Sequence, residues 1–381
     1  MPLFKESQEH SAFRKVVRKF VAKEVTPYRE EWDRAGVVPR ELWLKMGKQG
    51  FLAPWLPEEY GGLGVDLRYS LVIVAEELAW GDGFGVCASL HSDVATPYIY
   101  SYGTEELKRR ILPKTTTGEA ICAVGFTEPD TGSDLAAIRT KAVRDGDHYV
   151  VNGQKTFISN GILADVIVTA CKITSDAGRK GISLIAIEGE TPGLTRRRLD
   201  KMGQDAQDTA ELAFEDCRVP VGNLLGEEGQ GFRYMMEKLA RERLEVCVKC
   251  QAMAEEAFRL ALEYSKVREA FGRPIGNFEH NAFKLAEMAT EIEMGRNFLE
   301  ALIADYMNGE NINQRVSMAK WWLSEMVNRV AYQAVQLHGA YGYMEEYRVC
   351  RIYRDVRALP ILAGTTEIMK LIVARGLGLK P

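Results

Sequence analysis

No apolar run in this chain approaches the roughly 18 residues that a membrane-spanning helix needs. There is no basic excess either. A net charge of −4 gives neither nucleic acid nor an anionic membrane a field to bind. Only five histidines are present, and the seven cysteines are odd in number and scattered, which argues against a disulfide framework or a zinc cluster. Cys247 and Cys250 form a Cys-x-x-Cys, but in a segment with mid-helix periodicity and no second pair, so packing is their expected role. Gly226-x-x-Gly229-x-Gly231 has the wrong spacing for a dinucleotide fingerprint and follows no clear strand. Internal repeats and low-complexity segments are absent. Met1 to Glu6 lead straight into helical periodicity, so no leader peptide is expected, and the cytoplasm of a bacterium is the expected setting.

What is present is a change of texture, twice. The chain of 381 residues, 46% hydrophobic and 27% charged, can bury a sizeable core in two or three domains. Residues 1–121 carry helical spacing, as in Phe13, Val16, Val17, Phe20 and Val21, and again over 69–79 and 94–102. Residues 122–230 change to short β-branched stretches such as Val166-Ile167-Val168 and Ile182-Ser183-Leu184-Ile185, with Asn152-Gly153 as a hairpin turn. Strands with no helices between them point to an antiparallel β-barrel or sandwich. From 231 to 381 amphipathic helices return, over 231–267, 278–307, 311–338 and 362–375, as in a four-helix bundle. The expected fold is therefore a multidomain α+β protein: an N-terminal all-α domain, a middle antiparallel β-barrel and a C-terminal four-helix bundle.

One acidic residue is out of place. On the first bundle helix, Glu242 falls within an apolar arc made by Phe232, Met235, Leu239 and Val246, with Arg243 beside it. A desolvated carboxyl has a raised pKa, as a base must if it is to take a carbon-bound proton near neutrality. From the helix alone, a structural Glu–Arg contact at a domain interface is the plainer reading.

A series of motifs shifts that balance. Thr127-Glu128-Pro129-Asp130-Thr131-Gly132-Ser133-Asp134, Asn152 to Gly161, Lys201 to Asp216, Arg268-Glu269-Ala270-Phe271-Gly272 and Gln336-Leu337-His338-Gly339-Ala340-Tyr341-Gly342 follow one another along the chain. In order and spacing they resemble the signatures of the acyl-CoA dehydrogenase family, and Lys201 to Asp216 is most similar to its long-chain type. Most members place a glutamate base in the segment matching Pro360-Ile361-Leu362-Ala363-Gly364-Thr365-Thr366-Glu367-Ile368, where this chain has Ala363. A minority carries the glutamate at the place of Glu242.

The resemblance implies FAD bound between the β-domain and the bundle, and removal of the α-proton of an acyl-CoA thioester by Glu242 as hydride leaves for the flavin. It implies that Thr127 and Ser159 bond the flavin ring and that Phe157 covers one face. Arg268, with Phe271, would reach the FAD of a neighbouring subunit. Gln336 and Gly339 would meet the adenine end, and Thr365 and Glu367 a further stretch of FAD. Ser133, counted with both the cofactor and the substrate, and Arg243 and Gly364 would lie near the thioester, whose oxygen would accept from the backbone N–H at Ala363. An electron-transferring flavoprotein as acceptor and a homotetramer are also implied.

Some positions depart from the family pattern. Asp130-Thr131 replaces Gly-Ala, Glu279 a common glutamine, Leu362 an aromatic and Ala340 a glycine. Asp93 is expected to be a solvated helix or loop residue. If it faced the acyl cavity, it would instead serve as a remote base for an alicyclic acyl-CoA. Ala363 leaves open a third reading, a flavoprotein with a silenced active site.

Overall fold

The computed structural model describes residues 2–81, 83–173 and 181–381. Among the described residues six α-helices precede the first strand: α1 (Gln8–Glu24), α2 (Arg29–Ala35), α3 (Arg40–Lys48), α4 (Ala75–Trp80), α5 (Thr96–Tyr102) and α6 (Glu105–Thr117). Ser7 caps α1 by accepting from the His10 N–H, and Thr104 caps α6 by accepting from Leu107. The helical spacing over 69–79 and 94–102 is realised in two parts. Wide π-helical turns at Arg68–Val74 and Leu90–Ala95 lead into α4 and α5. Such turns recur beside functional sites.

The sheet comprises β1 (Cys122–Gly125), β2 (Lys141–Asp145), β3 (His148–Ser159), β4 (Val166–Lys172), β5 (Ile182–Glu188), β6 (Leu194–Arg198), β7 (Thr209–Pro220) and β8 (Leu224–Leu225). Its order is β6-β7-β3-β2-β4-β5-β8, with β1 also on β4. This corrects the antiparallel barrel in one respect: β1 and β2 both run parallel to β4. Among the described residues no pairing joins β6 to β8, so closure into a barrel is not shown. Asn152-Gly153 is not a turn. It lies inside β3, where the register against β7 shifts. Gly153 has φ +148°, and a Cβ there would come within 2.6 Å of Thr140 Oγ1. The β2–β3 turn is Gly146-Asp147, since Asp145 pairs with His148.

The C-terminal region contains α7 (Gly231–Val267), a β9–β10 hairpin (Glu269–Ala270 and Arg273–Pro274), α8 (Glu279–Met307), α9 (Asn313–His338), α10 (Arg348–Val356) and α11 (Thr366–Gly376). The four-helix expectation missed α10 and began α11 too early. Residues 361–365 form a strap in which Ala363 (φ +52°) and Gly364 (φ +96°) are both left-handed. α7 packs on α4 as well as on α8 and α9, so one apolar core runs from Val74 and Leu78 to Leu323 and Val330. A second joins Tyr98 to Val168, Ile182 and Met235. The three regions therefore meet along α7.

Candidate active site

α7 carries the site because two of its sides are buried against different regions. Met235 turns into the core, while Phe232, Leu239, Glu242, Arg243 and Val246 line a cavity of about 390 Å³. Glu242 is 8% exposed. Burial pushes its carboxyl up to about 7, against the opposing pull of a hydrogen bond from Tyr98 and the charge of Arg243. The Tyr98 hydroxyl donates to Glu242 Oε1 at 2.8 Å. Sequence reasoning missed Tyr98. The signal was present in Leu90, Val94 and Tyr98, spaced by four along a helical stretch that faces α7.

Arg243 is buried. Its Nη1 donates to Ser317 Oγ at 3.4 Å, and its Nε has no hydrogen-bond partner among the described residues. The strap closes this side, with Leu362, Ala363 and Gly364 all reaching the cavity. Lys320 Nζ donates to the Gly364 carbonyl at 2.6 Å, and burial draws this amine down to about 8. Thr366 N–H donates to the Pro360 carbonyl at 3.0 Å, and Thr365 caps α11. The strap's unusual backbone is thus pinned at both ends and in the middle.

Opposite stands the edge of the sheet. Thr127, Ser133, Phe157 and Ser159 line the same cavity. The Thr127 carbonyl accepts from the Thr156 N–H at 3.0 Å. Beneath it, fully buried Lys155 donates to Glu128 Oε1 at 2.8 Å. Burial alone would raise the Glu128 carboxyl, but Lys155 and Thr140 hold it below the usual range. Phe157 is 68% exposed at φ +59°, an aromatic ring presented to open space. Hydroxyls of Thr127 and Ser159 beside that ring offer polar contacts to a flat, polar-edged ring system, so these residues fit a flavin.

The remaining candidates lie elsewhere. Arg268 and Phe271 are exposed at the C-terminal end of α7, Phe271 at 96%. Gln336 and Gly339 are exposed where α9 ends, and the stacking of Tyr264 on His338, 4.3 Å apart, joins these two helix ends. Thr365 and Glu367 line a separate groove with Glu325, Asn328 and Arg357. Asp130 is exposed and paired with Arg139, and Glu279 is exposed at the start of α8.

Asp93 requires correction. It is buried, not solvated, and accepts from Ser70 Oγ at 2.8 Å and Arg241 Nη2 at 2.6 Å. Arg241 in turn lies 4.4 Å over the Trp55 ring. Asp93 is not among the cavity-lining residues. It ties the two π-helical turns to α7. Cys247 and Cys250 are buried thiols within the α7 core, and no metal-binding group of three His, Cys, Asp or Glu occurs among the described residues.

Comparison with known proteins agrees with this arrangement. The N-terminal, middle and C-terminal domains of acyl-CoA dehydrogenases match residues 7–119, 123–217 and 229–378. The chain belongs to the acyl-CoA dehydrogenase family, and is thereby an FAD-dependent flavoprotein oxidoreductase. It is 45% identical over 372 residues to the mitochondrial long-chain specific acyl-CoA dehydrogenase of Sus scrofa, covering 97% of this chain and 86% of that protein. An acyl-CoA dehydrogenase of Bacillus subtilis is 38% identical over 370 residues, covering 97% and 98%. The crystal structure of an acyl-CoA dehydrogenase from Geobacillus kaustophilus superposes with a TM-score of 0.96 at 54% identity, covering 98% of this chain and 99% of that one. No helix among the described residues is long and apolar enough to cross a membrane.

Proposed function

We propose that the chain dehydrogenates an acyl-CoA thioester between its α and β carbons, with Glu242 as the base. The observation that carries this reading is a buried carboxyl, raised to about 7, in the same cavity as the flavin-type residues Thr127, Phe157 and Ser159. A base of that pKa is half ionised near neutrality and still strong enough to assist removal of a weakly acidic proton. FAD, when bound, supplies the acceptor for the β-hydride.

The other residues act on position and charge. Negative charge develops on the thioester oxygen as the proton leaves, and the backbone N–H of Ala363 is suited to stabilise it. Alanine keeps that donor, so the missing side chain at 363 costs the oxyanion site nothing. Lys320 holds the strap that presents it. Arg243, buried with a spare donor, lies in the cavity beside the proposed position of the thioester. Enclosure of Glu242 and Tyr98 excludes water and strengthens each of these contacts.

Arg268, Phe271, Gln336 and Gly339 are too exposed to serve the cavity of their own subunit. Their grouping at one end of the bundle supports contact with the FAD of a neighbour in a homotetramer. Likeness to the long-chain enzyme of Sus scrofa supports a role in fatty acid oxidation; likeness to the Bacillus subtilis and Geobacillus kaustophilus proteins supports a bacterial cytoplasmic setting, and an electron-transferring flavoprotein is the proposed acceptor. Asp93, committed to Ser70 and Arg241, gives the remote-base reading no support.

The test is anaerobic titration of the purified yellow protein with straight, branched and alicyclic acyl-CoAs. Bleaching of the flavin by a straight-chain thioester is the expected result. A flavin that stays oxidised with every member of the panel would instead favour the silenced flavoprotein.

A further inference from the structure

The cavity continues beyond Glu242. Further along α7, Glu245, Val246 and Lys249 also line it. Lys249 is seven residues past the carboxylate, two helical turns or roughly 10 Å, which is the span of about eight methylenes. The facing wall runs the opposite way. Tyr98 meets Glu242, Val94 and Leu90 follow, and Cys87 lies within the field of Lys249 and Glu245. Gln207 closes the same end. Its loop packs on the residues before Cys87, since a Cβ on Gly85 would lie 3.0 Å from Ala206 Cβ and 3.2 Å from Gln207 N.

The chemistry changes along this length. The middle is apolar, with Leu90, Val94, Val246 and Leu362. The far end is polar, with Glu245, Lys249, Gln207 and Cys87. Its charges are compensated: Lys249 pairs with Glu245, and nearby Arg241 with Asp93. The Gln207 side-chain amide is different. It is 7% exposed, lines the cavity, and has no hydrogen-bond partner among the described residues. A methyl group arriving there would leave that amide dry and unpaired. A carboxylate or ammonium would be an uncompensated charge. A hydroxyl both donates and accepts, and brings no charge.

We propose that the end of the cavity formed by Gln207, Glu245 and Lys249 is a subsite for a neutral hydrogen-bonding group at the distal end of the acyl chain. The substrate class is then a medium-length acyl-CoA with a polar terminus, a hydroxyl being the simplest. This rests on the reading of the cavity as an acyl-CoA site with Glu242 at its thioester end.

The test uses the FAD-loaded enzyme and redox-inert 3-thia-acyl-CoA ligands, with dissociation constants from calorimetry. Four probes suffice: 3-thiahexanoyl-CoA and 3-thiadecanoyl-CoA, each with and without a terminal hydroxyl. The hydroxyl should weaken binding about tenfold on the six-atom chain, where it is stranded in the apolar middle, and leave binding unchanged or tighter on the ten-atom chain. Gln207→Leu should restore a penalty of about tenfold on the ten-atom chain and leave the six-atom ligands unaffected. An equal penalty at both lengths, or a ten-atom ratio untouched by Gln207→Leu, overturns the subsite while the acyl-CoA reading stands. Failure of plain 3-thiahexanoyl-CoA to bind sinks both. If Gln207→Leu does not fold by circular dichroism, the dependence on length in the unsubstituted enzyme decides alone.

Discussion

The Tyr98 hydroxyl reaches from α5 in the N-terminal region to Glu242 on α7 and donates to Oε1 at 2.8 Å. A donor favours the ionised carboxylate, so it opposes the burial that raises this group to about 7. Tyr98→Phe should therefore move the carboxyl higher still. The acidic limb of the kcat/KM profile should shift to higher pH, with a loss of several-fold at pH 6 and little loss at pH 9. A profile that merely scales down at every pH would assign Tyr98 to packing.

The raised pKa has a consequence for stability. Glu242 binds its proton more readily folded than unfolded between its ordinary value of 4.5 and about 7. The folded state then holds more protons than the unfolded one, so stability from this group falls as pH rises through that window. By pH 8 the cost is of order 3 kcal/mol. Glu242→Gln should accordingly be more stable than the parent at pH 8 and about equal to it at pH 4.5, as measured by urea midpoints.

Lys320 gives a prediction about the strap. Lys320→Met leaves the Gly364 carbonyl without its donor, for a loss of about 1–3 kcal/mol. It also loosens the backbone that carries the Ala363 N–H, so kcat should fall about tenfold or more while acyl-CoA binding changes less. Equal changes in kcat and KM would remove the strap from the oxyanion site.

Under the sheet edge, Lys155→Met would leave Glu128 buried beside Thr140 with no cation. About 3–5 kcal/mol of stability should be lost, and FAD should be retained poorly because the Thr127 loop rests on this pair. Adding Glu128→Gln should return part of the stability. Denaturant midpoints and the flavin-to-protein absorbance ratio measure the two effects.

These residues also show what the sequence could reveal. The burial of Glu242 was legible because its position on an apolar arc depends only on helical spacing, whereas its reading as a base came from the resemblance. Tyr98 was only half legible: the spacing of Leu90, Val94 and Tyr98 marks one helical face, but its partner lies 144 positions away and nothing local names it. Asp93 was misjudged as solvated for the same reason: Ser70 and Arg241 come from two other elements. Asn152-Gly153 has the composition of a turn, yet long β3 pairs straight through it with a bulge. The true turn, Gly146-Asp147, is just as plain locally, and only the pairing of β2 with β3 chooses between them. α10 went unnoticed because it is only nine residues long.

The most direct test of Glu242 as the base is the rate of anaerobic flavin bleaching by a straight-chain acyl-CoA in Glu242→Gln. The variant should keep its FAD and bind 3-thia-acyl-CoA, yet bleach about 100- to 10,000-fold more slowly. Bleaching at the parent rate would contradict the assignment and send the search for the base elsewhere in the cavity.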